Sequence, residues 1–139
     1  MKFPQKYIKK GKFKLHGGEI TDTFYDVNFM LTDKKQSIKI IEFVIGHKIF
    51  DTYVGIATGG AIIASHCGTL FMNSNWAMIK DGELKGELKE SYCLVDDVVT
   101  TESSLKTAMS LICKKPSAIF VVVDRRKKKT LDITSMYDV

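Results

Sequence analysis

The chain has 139 residues, of which 45% are hydrophobic and 27% charged, and its formal net charge is +5. This length fits one domain with a single core, and the composition excludes the disordered and fibrous classes of protein. The longest apolar runs, such as residues 118–123, are too short to span a bilayer, and the Lys-rich N-terminus lacks the apolar core of a secretion signal.

The cysteines also indicate a cytoplasmic protein. Cys67, Cys93 and Cys113 lie in apolar stretches, and neither a CxxC motif nor a Cys/His ligand spacing is present. We therefore expect reduced core thiols. Because the apolar runs are too short to span a bilayer, we also expect no contact with a membrane.

The positive charge is concentrated in residues 2–14 and 125–129. It favours the attraction of anionic small molecules such as phosphates. Nucleic-acid binding would rest on charge alone, because no aromatic residue for base stacking interrupts the second run. A solvated surface is the remaining interpretation.

The first third of the chain predicts two short strands and a helix. Residues 13–15 and 24–30 are expected to be strands on either side of the connection Gly17-Gly18. His16, beside this connection, is a candidate for contact with a substrate. An amphipathic helix is expected after them. Its candidate residues are the N-cap Thr32 or Asp33, the apolar face Ile38, Ile41 and Ile45, and a C-terminus near Gly46.

The rest of the chain alternates between apolar strand patterns and helix patterns. Strands are expected at 53–57, 76–79, 92–95 and 118–123, with an edge strand at 131–134. Helices are expected at 61–67 and from 105 to the residue before Pro116. This alternation predicts an α/β domain with a mostly parallel twisted sheet flanked by helices, and ligands at the carboxyl ends of its strands.

The segment YCLVDDVVTTESS, residues 92–104, carries the most specific chemistry. Asp96 and Asp97 can accept hydrogen bonds from two vicinal hydroxyls, or hold a hydrated Mg²⁺ through water. The hydroxyls and backbone N–H groups that follow form an anion cradle at a helix N-terminus. A diol site next to a phosphate site describes a ribose 5-phosphate pocket. The alternative is a capped helix with surface carboxylates.

Residues 94–104 resemble the phosphoribosyl-pyrophosphate signature of type I phosphoribosyltransferases. By this resemblance Asp96 and Asp97 hold the ribose hydroxyls. The 5-phosphate is implied to lie on Thr100, Thr101, Glu102, Ser103 and Ser104. Glu102 stands where the family has Gly, and its carboxylate would repel a phosphate unless it points away or pairs with a Lys.

Residues 55–64, GIATGGAIIA, resemble the pyrophosphate loop of the same family. The implied pyrophosphate-binding residues are Ala57, Thr58, Gly59 and Gly60, acting through backbone N–H groups. A Gly-Gly turn between a strand and a helix is also common without a ligand.

Two further matches point to the orotate type of phosphoribosyltransferase. Residues 11–29 resemble its N-terminal segment, where Phe24 and Tyr25 match aromatic positions near the pyrimidine. Residues 121–126 resemble a Val-Asp-Arg strand end, which implies that Arg125, alone or with Arg126, forks onto the orotate carboxylate. The competing interpretations are plain strand packing for the aromatics and a surface ion pair for the arginine.

The family's mobile basic loop is shortened here to residues 79–91, with no Arg or His. Lys80 is its implied catalytic residue, and Lys85 is the other basic residue before Gly86. Because a lid excludes water and stabilises pyrophosphate, we expect lower turnover.

The resemblance implies a single domain, with a base-binding hood at residues 1–30 and a core at 31–139. It implies transfer of a phosphoribosyl group from phosphoribosyl pyrophosphate to orotate, with Mg²⁺ held indirectly by Asp96 and Asp97, in a homodimer. The alternative is a weak or inactive member of the fold that binds phosphoribosyl pyrophosphate or a nucleotide as a regulator.

Overall fold

The structure is a computed structural model that describes residues 1–15 and 18–139. His16 and Gly17 lie outside the described residues, as does half of the expected Gly17-Gly18 connection. Within the described ranges no helix combines the length and the apolar character needed to cross a membrane.

The segment predicted as a hood contains a β-hairpin, and from here on the word hood refers to this hairpin. A single 3-10 turn at Gln5–Tyr7 precedes β1 (Ile8–Lys14), which pairs antiparallel with β2 (Ile20–Tyr25) in a separate two-stranded sheet. Phe3 and Tyr7 are buried in the main core and attach the hood to the domain.

The expected strand at residues 24–30 is wrong beyond Tyr25. Asp26 accepts a hydrogen bond from the Phe29 N–H at 3.0 Å and caps a short helix, α1 (Val27–Leu31). The apolar residues around Asp26 favoured the prediction of a strand. The hydrogen bond from the Phe29 N–H to the Asp26 side chain instead stabilises a helix start over an extended backbone.

Helix α2 (Lys34–Ile45) begins where expected, because the Asp33 carboxylate caps the Gln36 N–H at 3.2 Å. Its core face differs from the expected one. Ile40 and Val44 are buried, whereas Ile38 is 45% exposed. The helix is therefore rotated relative to the predicted apolar stripe.

The main sheet has six strands in the order β5-β4-β3-β6-β7-β8, all parallel except for the β4–β5 pair. The strands are β3 (Thr52–Ile56), β4 (Asn75–Lys80), β5 (Glu83–Lys85), β6 (Tyr92–Val99), β7 (Ala118–Asp124) and β8 (Thr134–Asp138). The two remaining helices are α3 (Gly59–Leu70) and α4 (Ser103–Ile112). The predicted mostly parallel α/β fold is confirmed.

Each face of the sheet has its own hydrophobic core. On one face α1, α2 and α3 pack against Tyr53, Cys93 and Phe120. On the other face α4 packs through Leu105 and Ala108. This layering brings the N-termini of α3 and α4 to the same edge, at the carboxyl ends of β3 and β6.

Two other predictions are wrong, and one strand was not predicted. The edge strand lies at Thr134–Asp138 rather than 131–134, and β5 was not expected. Cys113 is exposed at the C-terminus of α4 and is not a core thiol, whereas Cys67 and Cys93 are buried as expected.

Candidate active site

The two resemblance motifs lie side by side in space. Strands β3 and β6 are parallel neighbours, with Gly55 opposite Val95, so the segments that follow them meet at one sheet edge. Between them lies a cavity of about 190 Å³, which we call the first cavity. Its polar lining consists of Thr58, Asp96, Asp97, Thr100, Thr101, Glu102, Ser103 and Ser104.

The two aspartates lie within β6 and not after it, because the strand continues to Val99. The backbone N–H of Asp97 donates to Asp96 Oδ1 at 2.8 Å, and the N–H of Val98 donates to Asp97 Oδ1 at 2.7 Å. Both carboxylates are thereby fixed at the cavity wall. Burial, and then the neighbouring Asp97 carboxylate, raise the pKa of the Asp96 carboxyl well above its usual 3.8.

Gly59 and Gly60 allow α3 to begin in contact with β6. A Cβ atom on Gly60 would lie 2.3 Å from the Val95 carbonyl oxygen. A Cβ atom on Gly59 would lie 2.7 Å from both Asp97 Oδ2 and Asn28 Oδ1. Only glycine fits at these two positions, so the Gly-Gly pair is explained by packing as well as by any ligand.

Ala57 and Thr58 line the first cavity directly in front of α3. The backbone there leads into the N-terminus of α3, where the first N–H groups of a helix have no partner within the helix itself. The predicted pyrophosphate segment and the predicted ribose segment are thus brought together.

Residues 100–104 form a turn that ends in the N-terminus of α4. The hydroxyls of Thr101 and Ser103 lie 3.1 Å apart, on either side of Glu102. The Glu102 backbone belongs to this turn, but its side chain points away from the cavity, toward Arg126 and the β7–β8 connection. The expected repulsion between this carboxylate and a phosphate is therefore absent from the geometry.

A second cavity of about 460 Å³ lies between the hood and the turn at residues 100–104. It shares Thr100, Thr101 and Glu102 with the first cavity. Among the residues that the structure describes, four cationic ones line it, Lys106, Arg125, Lys127 and Lys128, together with the acidic residues Glu19 and Glu102. Of the four cationic residues, only Arg125 was proposed as a site residue from the sequence. The sequence analysis identified the lysines at 127–129 as positive charge that attracts anions, but did not assign them to a site.

Arg125 is held by the hood. Its guanidinium donates to the Thr23 carbonyl at 3.0 Å and to Thr21 Oγ1 at 3.1 Å, and lies 5.0 Å from the centre of the Tyr25 ring. Phe24 is 37% exposed and stacks on Phe13, on a face of the hairpin that lines neither cavity. The base-contact roles of Phe24 and Tyr25 stay predictions.

Lys80 ends β4 and lines a third cavity of about 550 Å³ together with Ala57 and Thr58. It is followed by a two-residue hairpin turn, in which Asp81 has φ 51° and Gly82 has φ 75°. Positive φ at both positions is the type I′ geometry, so the shortened loop is a tight hairpin.

One residue near the site was missed from the sequence. Asn28, in α1, places its side-chain oxygen beside Gly59 and the Asp97 carboxylate. The signal in the sequence that could have located Asn28 is Asp26, a preferred helix N-cap residue. Reading Asp26 as a cap ends the strand at Tyr25 and predicts the helix that carries Asn28.

The carboxylates of Asp96 and Asp97 supply oxygen donors for a metal at the first cavity. Among the described residues, no three His, Cys, Asp or Glu side chains cluster closely enough to cage an ion. Two adjacent carboxylates fit a hydrated, hard cation such as Mg²⁺, which retains water and is completed by substrate oxygens.

Neither a family model nor a curated protein matches the sequence. Solved structures do match the fold. The orotate phosphoribosyltransferase from Aeropyrum pernix has a TM-score of 0.80 at 19% identity, covering 96% of this chain and 89% of that one. The orotate phosphoribosyltransferase from Mycobacterium tuberculosis, solved with inorganic phosphate, has a TM-score of 0.70 at 15% identity, covering 95% and 88%.

An adenine phosphoribosyltransferase from Thermoanaerobacter pseudethanolicus is also similar, with a TM-score of 0.68 at 18% identity, covering 84% of this chain and 88% of that one. The chain therefore has the type I phosphoribosyltransferase fold, as the resemblance predicted. Because enzymes for different bases share this fold, the fold alone does not select the base.

Proposed function

We propose that the protein transfers the 5-phosphoribosyl group of phosphoribosyl pyrophosphate to orotate, with release of pyrophosphate. The observation that carries the proposal is the pair of cavities that share the turn at residues 100–104. One cavity combines two carboxylates with a hydroxyl-rich helix N-terminus. Among the described residues, the lining of the other has more cationic than anionic side chains. This arrangement suits a ribose 5-phosphate beside an anionic base.

The ribose and its phosphate are assigned to the first cavity. Asp96 and Asp97 accept hydrogen bonds from the vicinal ribose hydroxyls, and the backbone N–H groups at Ser103 and Ser104 hold the 5-phosphate. The helix dipole of α4 favours the same anion. These contacts hold the ribose in one orientation, which is most of what this transfer requires from a protein.

The pyrophosphate is assigned to the segment from Ala57 to Gly60 and to Lys80. Backbone N–H groups at the start of α3 and the Lys80 ammonium stabilise the charge that develops on the leaving group. Mg²⁺, held by Asp96 and Asp97 through water, supplies further neutralisation of that charge when bound.

The base is assigned to the second cavity. Orotate is an anion whereas adenine is neutral, and the cations at Lys106, Arg125, Lys127 and Lys128 favour the anion. This charge is the reason for preferring orotate over the adenine specificity found on the same fold.

A second candidate function is a binding protein for phosphoribosyl pyrophosphate or a nucleotide, without turnover. The observation that favours it is the tight β4–β5 hairpin, which replaces a long basic loop with the two-residue turn Asp81-Gly82. Such a hairpin leaves the first cavity without a lid from this segment, so water has more access to the reacting centre.

Calorimetry and a pyrophosphate assay separate these candidates. Phosphoribosyl pyrophosphate with Mg²⁺ is titrated first, and orotate or adenine is then added while pyrophosphate release is followed. We expect release with orotate and none with adenine. Binding without release supports the regulator, and release with adenine alone contradicts the orotate assignment.

Asparagine substitution tests the ribose assignment in the same assays. The double variant Asp96→Asn/Asp97→Asn should bind phosphoribosyl pyrophosphate at least about tenfold more weakly, since the carboxylate acceptors are lost. The matched control is Asp132→Asn, an exposed carboxylate outside both cavities. Equal affinity in the double variant and the control would remove the two aspartates from the site.

A further inference from the structure

Glu102 is buried and occupies a backbone conformation that does not favour its side chain. Its φ is 68° and its ψ is 0°, in the left-handed region, and only 3% of the residue is exposed. A non-glycine residue in this region costs about 1 kcal/mol. Its carbonyl accepts from the Lys106 N–H at 2.9 Å and so opens α4. The strain therefore lies at the joint between the phosphate turn and its helix.

The carboxylate is held on every side by the segment that follows β7. Arg126 Nη1 donates to Oε2 at 2.5 Å, and the backbone N–H groups of Thr130 and Leu131 donate to the same oxygen at 2.9 and 3.0 Å. The Thr130 hydroxyl donates to Oε1. These contacts stabilise the strained conformation by fixing the side chain at both oxygens.

Arg126 is fixed in turn at the end of β7. It donates to both Asp124 oxygens, from Nε at 2.9 Å and from Nη2 at 2.7 Å, and to the Leu131 carbonyl at 2.9 Å. The chain of contacts therefore runs from the central sheet through Arg126 to the turn that begins α4. Charge-assisted, bidentate hydrogen bonds between Arg and a carboxylate are among the strongest and most directional hydrogen bonds in proteins.

The network is balanced in charge. Burial raises the pKa of the Glu102 carboxyl, but the hydrogen bonds from Thr130, Leu131 and Arg126 outweigh burial and hold that pKa well below its usual range. The Lys106 ammonium lies 3.4 Å from the other oxygen. The negative charge at this position is thus neutralised away from the first cavity.

The same anchor reaches both cavities. Thr101 and Ser103, on either side of Glu102, line the first cavity, and Thr130, which binds its carboxylate, lines the second. Movement of the Glu102 side chain would therefore displace the proposed phosphate cradle and one wall of the proposed base cavity together.

We propose that Glu102 is a positioning residue for the phosphoribosyl site, which ties the turn at residues 100–104 to the segment at 125–131 so that cradle and base wall form one rigid unit. This inference rests on the proposed function for the identity of the ligands. The contacts that carry it do not depend on them.

The test compares two left-handed positions on the same helix. Cys113 ends α4 at φ 60°, is exposed, and lies outside both cavities. Glu102→Asn and Cys113→Asn introduce the same residue, which tolerates this conformation. The Asn side chain at 102 is shorter than Glu and uncharged, so it cannot replace the bond to Arg126. Glu102→Gln keeps the length and the acceptor oxygen.

Two readouts are measured at a temperature where every variant is folded. The first is the affinity for ribose 5-phosphate by calorimetry, which should fall about tenfold or more in Glu102→Asn, recover in part in Glu102→Gln, and stay unchanged in Cys113→Asn. The second needs no ligand. Amide hydrogen exchange at residues 100–104 and 127–131 should speed up together in Glu102→Asn, less so in Glu102→Gln, and not in Cys113→Asn.

The outcomes separate this inference from the proposed function. If the unmodified protein binds neither ribose 5-phosphate nor phosphoribosyl pyrophosphate, the proposed function fails and hydrogen exchange alone decides the role of Glu102. Unchanged exchange at residues 100–104, or unchanged affinity in folded Glu102→Asn, would overturn the positioning role and leave a residue that affects stability only.

Discussion

Asp96 is a buried carboxylate with a second carboxylate beside it. It is 7% exposed, and its one described hydrogen bond comes from the Asp97 backbone. Burial disfavours the charged form, and Asp97 adds repulsion, so the pKa of Asp96 is raised. The proposed site for ribose hydroxyls and a cation is therefore unfavourable for the fold when no ligand is bound.

This raised pKa gives a stability prediction with a definite sign. Between the usual value of 3.8 and the raised value, the folded protein binds more protons than the unfolded chain, so stability falls as pH rises. Asp96→Asn removes that loss. We expect the variant to be more stable than the parent above the usual pKa of 3.8, by an amount that grows with pH until the raised pKa is passed.

Urea denaturation across pH measures this effect directly. The gain from Asp96→Asn should shrink toward zero below the usual pKa of 3.8, where the parent carboxyl is neutral in both states. The exposed control Asp132→Asn should show no such trend. A gain that stays constant with pH would indicate a packing effect and contradict the electrostatic account.

The hood is attached to the sheet through one guanidinium as well as through its apolar anchors. Arg125 follows β7 directly and donates to the Thr23 carbonyl and the Thr21 hydroxyl of β2, at 3.0 and 3.1 Å. It also lines the second cavity. The orientation of the hairpin and the shape of the proposed base cavity thus depend on the same side chain.

Arg125→Ala should loosen the hood and weaken base binding. Loss of two charge-assisted hydrogen bonds corresponds to about 1–3 kcal/mol. We expect faster amide exchange in β1 and β2, and a half-saturating concentration that rises more for orotate than for phosphoribosyl pyrophosphate. Arg125→Lys keeps the charge but loses the planar guanidinium with its several donors. Its exchange rates and half-saturating concentrations should lie between those of the parent and those of Arg125→Ala.

Separate readouts identify the role of this arginine. Faster exchange in the hood with equal effects on both substrates would assign Arg125 to hood attachment alone. A selective effect on orotate with unchanged exchange would instead assign it to the base, independently of the hood. The predicted contact with a base carboxylate requires the selective effect.

The elements themselves were largely predictable, because buried parallel strands rich in β-branched residues and amphipathic helices leave clear patterns. Strand β7 and the start of α2 after Asp33 are examples. Errors arose where short-range chemistry overrides an apolar run, as at the Asp26 cap. The β4–β5 hairpin had a usable signal, since Asp81-Gly82 is a preferred type I′ turn.

The site was predictable as a set of segments but not as a set of contacts. Parallel strands that end at one edge bring residues 57–60 and 96–104 together, which topology alone implies. Arg126, which binds Glu102, lies 24 positions from it along the chain, and Thr23, which binds Arg125, lies 102 positions from it. Such pairings depend on tertiary packing, which no local pattern encodes. The homodimer stays a prediction.

At the scale of the whole molecule, the net charge of +5 is not spread evenly around the site. Lys127 and Lys128 lie at the second cavity, and the Lys127 side chain is 90% exposed, paired only with Glu19 among the described residues, at 3.3 Å. An excess of exposed positive charge around an open cavity raises the local concentration of anions, and salt weakens that attraction.

Removing these two lysines should therefore weaken anion binding mainly at low salt. For Lys127→Ala/Lys128→Ala we expect ribose 5-phosphate affinity to fall about tenfold at low ionic strength, and to approach the parent value near 1 M, where the screening length is about 3 Å. The control Lys35→Ala/Lys39→Ala removes the same charge from α2, which lines neither cavity. It should bind nearly like the parent at every salt concentration.

Calorimetry over a salt series measures how the affinity of each double variant depends on salt concentration. Equal weakening in the two double variants would mean that net charge alone attracts the ligand, and a salt-independent loss confined to the 127/128 variant would mean direct contact.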